Sequence, residues 1–159
     1  MGLFSMRDIF AVAIKIEERG EQFYRAVAEK VSEPKVRAFF ARLAADEQRH
    51  RAIFQEMAAQ LGNVELGTAD KADFLAYLEA YTQNLIFEEE TQLSYDAGKT
   101  FDARHAFLYA IEKELDSVLY YREVKDLVPV SEQALINEII AEERRHVVNL
   151  STMKQELEA

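Results

Sequence analysis

Two of the chain's three histidines close the same four-residue pattern, Glu47-Gln48-Arg49-His50 and Glu143-Arg144-Arg145-His146. On a helix, a glutamate three residues before a histidine places both side chains on one face, within reach of one ligand. The surrounding residues identify that face. Leu43, Phe54, Met57 and Leu61 extend the first stripe, and Ile136, Ile139 and Leu150 extend the second. A single such pair is as readily a surface coincidence, but two on apolar stripes are not. Burying a carboxylate there costs on the order of several kcal/mol unless it is paired or coordinated, so a cationic partner is expected. Neither stripe carries an inward Lys or Arg to supply it.

The two patterns also sit at equivalent places in an internal repeat. Ala13-Ile14, Glu17 and Phe23-Tyr24 correspond to Ala110-Ile111, Glu114 and Tyr120-Tyr121 at a constant offset. Leu43, Ala45, Glu47, Arg49 and His50 correspond to Ile139, Ala141, Glu143, Arg145 and His146, shifted by one residue less. Such an indel belongs in a hairpin turn, where it disturbs least. The chain therefore reads as two copies of a helical hairpin, 6–61 and 101–157, joined by a crossover with a helix of its own.

Local signals agree with this division. Ser5 and Asp8 form a capping box that opens a helix at about 6–30, and Ser32 before Pro34 is expected to cap a second running to about 61. Phe74, Leu78, Tyr81 and Leu85 mark a middle helix at about 72–91. A fourth is expected from Phe101 to Asp126, stopping before Pro129, and a fifth at about 132–157, capped by Ser131. With few Gly and Pro and much Ala, Leu and Glu, the expected class is all-α, a four-helix bundle in a single domain spanning 1–159.

Charge and composition remove several functions. A formal net charge of −10 repels phosphate backbones and anionic headgroups, so neither nucleic acid nor a membrane is expected as partner. The absence of cysteine removes disulfides, thiolate zinc, iron–sulfur clusters and thiol catalysis, leaving only O and N ligands for any metal. Met1–Phe10 contains Arg7 and Asp8 and no long apolar run, which argues against a signal peptide and for a cytoplasmic protein.

Glu17 lies on the stripe of Ala13, Gly20 and Tyr24, and Glu114 on that of Ala110, Val118 and Tyr121, so each first helix of a hairpin also sends one glutamate inward. Glu18, Glu21 and Glu112 point towards solvent or the stripe's edge. Four carboxylates and two imidazoles form an O/N set suited to iron or manganese, with zinc also accommodated. Two divalent ions would balance the four carboxylates.

One inward Glu on each of two helices, with Glu-x-x-His on the other two, resembles the ferritin and rubrerythrin superfamily over almost the whole chain. The spacing of Glu17 to Tyr24, the pair Phe23-Tyr24 and the run Asp116-Ser117 before Tyr120-Tyr121 are most similar to the short rubrerythrin-related proteins. The resemblance implies a ferritin-like bundle with two iron ions. Glu17, Glu47, Glu114 and Glu143 would ligate or bridge them, and His50 and His146 would ligate one each. Rubrerythrins proper carry a rubredoxin domain with four iron-binding cysteines, absent here, so electrons would come from an external donor. A further glutamate of that family would fall at Ser117.

The expected function is an oxidoreductase whose di-iron centre reacts with peroxide or dioxygen. A ferroxidase for iron storage or detoxification and a non-catalytic metal-binding bundle are the alternatives. Tyr24 and Tyr121 are taken as core aromatics rather than partners of the glutamates, His105 as a surface residue, Gly20 as a point of close helix approach, and Glu88-Glu89-Glu90 as a solvated helix end. The face of Phe74, Leu78, Tyr81 and Leu85 is expected to mediate a homodimer, with capping of the bundle as the alternative use.

Overall fold

The computed structural model describes residues 5–62, 72–87 and 102–159. They form five helices: α1 (Met6–Lys30), α2 (Pro34–Leu61), α3 (Ala72–Phe87), α4 (Ala103–Lys125) and α5 (Val130–Glu158). α1 packs along α2 and α4 along α5, so each half of the repeat is a helical hairpin, and the two hairpins meet to make a ferritin-like four-helix bundle. Among the described residues, no helix is long and apolar enough to cross a membrane.

Helix ends follow local chemistry. At α1 the Ser5 hydroxyl accepts from the Asp8 N–H while the Asp8 carboxylate accepts from the Ser5 N–H at 2.7 Å, closing the expected capping box. The other expected caps are displaced. Glu33, not Ser32, caps α2, because its longer side chain reaches the Val36 N–H at 2.7 Å. α4 starts after Asp102, whose carboxylate accepts from the Arg104 N–H at 2.9 Å. α5 begins at Val130, directly after Pro129, whose carbonyl accepts from the Glu132 N–H at 2.9 Å. Ser131 is thus inside the first turn, donating to Glu132 instead of capping. The expected end of the middle helix and the Glu88-Glu89-Glu90 run lie outside the described residues.

Three residues of the apolar face expected on α3 turn towards the bundle. Leu78 is fully buried, and Phe74 and Tyr81 pack on the bundle core, with the Tyr81 hydroxyl donating to the Asp116 carbonyl at 3.0 Å. Phe74, Leu78 and Tyr81 thus cover one end of the bundle core.

Buried apolar residues fall into two blocks. One contains Ile9, Phe10, Phe54, Tyr120, Tyr121 and Ile136; the other contains Tyr24, Val27, Phe40, Leu43, Phe107 and Leu150. On every long helix the residues between these blocks are polar and buried: Glu17 and Glu21, Glu47 and His50, Glu114 and Ser117, Glu143 and His146.

Candidate metal centre

All six residues singled out by sequence converge in that middle layer, none more than 5% exposed. Donor atoms of Glu17, Glu47, His50 and Glu143 lie within 4.8 Å of one another, as do those of Glu47, Glu114, Glu143 and His146. The two quartets share Glu47 and Glu143, both from Glu-x-x-His patterns. Each quartet is completed by one histidine and by the inward glutamate of a first hairpin helix.

Both imidazoles turn the same nitrogen inward. Nδ1 of His50 lies 2.9 Å from Glu143 and 3.6 Å from Glu17. Nδ1 of His146 lies 2.9 Å from Glu143, 3.4 Å from Glu114 and 3.6 Å from Glu47. Each Nε2 faces a carboxylate on the opposite hairpin, Glu142 at 3.0 Å from His50 and Asp46 at 3.3 Å from His146. A carboxylate on the outer nitrogen fixes the ring and raises the basicity of the inner one. Arg49 ties both acids together, 2.9 Å from Asp46 and 2.6 Å from Glu142. Its hydrogen bonds hold Glu142 down at about 2, so that carboxylate is ionised beside His50.

Asp46 and Glu142 were not among the expected site residues. They are equivalent positions of the repeat, each just before a Glu-x-x-His, and that correspondence was the available signal. Glu142→Gln is expected to lower metal affinity by roughly 10–100-fold, as loss of an outer carboxylate does elsewhere, with the fold intact. Isothermal titration with zinc measures it, and unchanged affinity would remove the orienting role.

The tyrosines are both buried and engaged, correcting the view of them as core aromatics alone. The hydroxyl of Tyr24 donates to Glu114 and that of Tyr121 to Glu17, so each crosses to the other hairpin's glutamate. Burial, followed by the facing carboxylates, pushes both phenols well up. Glu21 is also more buried than expected, at 8% exposed, and is held by Arg51 at 2.8 Å and Arg25 at 2.8 Å. Ser117 donates to the Lys113 carbonyl at 2.9 Å, and His105 is exposed beside Asp102 at 2.5 Å.

The layer is built to hold cations. Glu17 Oε2, Glu47 Oε1, both oxygens of Glu143 and both inward Nδ1 atoms are buried and meet one another only in ion-pair contacts without hydrogen-bond geometry, a state that is costly unless something else satisfies them. Without metal, protons must stand in. Burial raises Glu47 well above the carboxylate range and Glu114 to about 8. Burial alone would lower the imidazoles, but Glu143 and its neighbours hold His50 up at about 11 and His146 at about 10. Four hard oxygen donors and two imidazoles, with no sulfur, fit iron, manganese or zinc.

Gly20 gives this layer room. A Cβ there would lie 2.6 Å from Glu47 Oε2 and 3.1 Å from its Cδ. Gly20→Ala gains up to about 1 kcal/mol of helix propensity against an overpacking cost of roughly 1–3 kcal/mol. The expected result is a melting temperature of the metal-free protein changed by a few degrees, and weakened metal binding in both quartets because Glu47 is displaced. Equal metal affinity would show that the glycine serves helix approach alone.

The family model described as Rubrerythrin matches residues 8–102, more than half the chain. A crystal structure from Thermotoga maritima described as a ferritin-like diiron-carboxylate protein superposes with a TM-score of 0.71 and 28% identity, covering 98% of each chain. No curated protein matches.

Proposed function

The chain belongs to the rubrerythrin family, and from that premise we propose that it is a di-iron oxidoreductase that reduces peroxide or dioxygen with electrons from an external donor. Glu17 and His50 would hold one iron, Glu114 and His146 the other, and Glu47 and Glu143 both. The carrying observation is the pair of buried quartets that share these two glutamates. When bound, iron supplies electrons and Lewis acidity to an oxygen substrate.

The protein's own groups do the rest. Tyr24 and Tyr121 fix the orientation of Glu114 and Glu17, and Asp46 and Glu142 keep both Nδ1 atoms turned inward. Apolar blocks on either side keep bulk water from the layer. With no cysteine, the chain offers no iron–sulfur relay of its own, which is why an external donor belongs to the proposal.

The test is metal analysis and optical spectroscopy of protein loaded anaerobically with ferrous iron and titrated with peroxide. About two irons per chain, oxidised faster by peroxide than by air, is the expected result. Faster oxidation by air in a large hollow assembly would favour iron storage instead. Failure to bind stoichiometric iron, or oxidation unaltered in Glu47→Ala, would overturn the reading.

A further inference from the structure

We propose that Tyr121, Tyr120, Tyr81 and Tyr77 form a path for single electrons between the protein surface and the metal layer. This rests on the di-iron reading above. The Tyr121 hydroxyl bonds to Glu17, placing the inner end at one quartet. Its ring centroid is 5.9 Å from that of Tyr120, which lies 5.9 Å from Tyr81 at an interplanar angle of 9°. Tyr81 is 6.1 Å from Tyr77, which is 44% exposed. Four phenols thus follow one another from the buried layer to solvent through α3.

Among the described residues, the duplicated half lacks this continuity. Tyr24, the equivalent of Tyr121, bonds to Glu114, but the residue equivalent to Tyr120 is Phe23. Among the described residues, the aromatic neighbours of the Tyr24 ring are Phe23 at 5.6 Å and Phe40 at 5.9 Å, and the next phenol, Tyr109, lies beyond Phe23. A benzene ring has no hydroxyl proton to lose and is far harder to oxidise than a phenol. Tyr120 in place of Phe23 therefore gives one half an oxidisable ring next to its inner tyrosine that the other half does not have.

Hydrogen bonds along the path set where charge rests. Tyr120 donates to the Ile9 carbonyl at 2.9 Å and Tyr81 to the Asp116 carbonyl at 3.0 Å. A backbone carbonyl does not keep a proton, so an oxidised ring at either position is short-lived and is refilled from the next. With metal bound, Tyr121 would give up one electron towards the Glu17 quartet and be refilled by Tyr120, Tyr120 by Tyr81, and Tyr81 by Tyr77, the inner phenols keeping their protons. The net loss is one electron and one phenolic proton from Tyr77, the proton passing to water. A one-electron reductant at the surface returns the electron, and Tyr77 recovers a proton from solvent. Two such transfers with two protons match the reduction of one peroxide to two waters.

The experiment uses the full chain loaded with ferrous iron, treated with peroxide and then ascorbate, followed by rapid-freeze electron paramagnetic resonance with iron content measured alongside. The native chain is expected to give a tyrosyl radical that ascorbate removes. Tyr77→Phe, a surface change, and Tyr120→Phe are expected to keep native iron content but to slow that removal by roughly tenfold or more. Equal rates in all three proteins at equal iron content, or no tyrosyl radical in the native chain, would overturn the path and leave the metal reading standing. Absence of bound iron would overturn both.

Discussion

Glu143→Gln is expected to abolish metal binding in both quartets, whereas Glu17→Gln is expected to weaken it in one and spare the other. Glu143 lies 2.9 Å from Nδ1 of each histidine and donates to both quartets, so neutralising it removes a charge from both at once. Glu17 belongs to a single quartet. Loss of one of several hard donors in a preorganised site typically weakens binding by well over the roughly 10–100-fold seen for outer partners. Calorimetric titration with zinc or manganese, with circular dichroism to show that the helices persist, separates these results. Two sites of native affinity in Glu143→Gln would dismantle the shared-glutamate geometry.

The second large effect concerns acidity. Without metal, the folded cluster keeps protons that the unfolded chain releases: on Glu114 up to about 8, on Glu47, and on His146 and His50 up to about 10 and 11. Unfolded glutamates ionise near 4.3 and imidazoles near 6.5. The folded state therefore binds the more protons between roughly pH 5 and 8, and stability falls as pH rises, by about 1.4 kcal/mol per pH unit for each proton kept in excess. Glu143 and Glu142 act oppositely. Burial would raise Glu143, but the two imidazoles hold it below the carboxylate range, and Arg49 does the same for Glu142, so their contribution is lost as pH falls below about 4.5. Metal ions replace the protons, so the loaded protein should lack the decline and its affinity should rise with pH. Melting temperatures at several pH values between 5.5 and 7.5, with chelator or zinc, decide the matter. A metal-free protein that grows more stable across that range would contradict the cluster's charge balance.

Much of this was legible in the residue order because the cluster lies on helices. Helical spacing alone puts Glu47 with His50 and Glu143 with His146, and the apolar stripe of Ala13 and Tyr24 carries Glu17 inward with them. What escaped depends on contacts between helices. Asp46 and Glu142 sit off the stripe and read as solvated until the facing hairpin brings a histidine against each and Arg49 of α2 against Glu142. Glu21 is buried because Arg51 reaches it from α2, which no periodicity in α1 reveals. Tyr24 lies two turns from Glu17 in its own helix yet bonds to Glu114. The caps at Ser32 and Ser131 failed because Glu33 outreaches a serine and Pro129 starts a helix without side-chain help.

The interrupted core has a mechanical consequence. Apolar side chains lock the bundle at two levels, and between them the helices are joined mainly by charge and hydrogen bonds. Metal held by both quartets would rivet that level, while without it the seam is closed by the ion pairs and hydrogen bonds of the glutamates, histidines and tyrosines alone. The carboxylates offered to metal are therefore placed where interlocking methyl groups resist motion least.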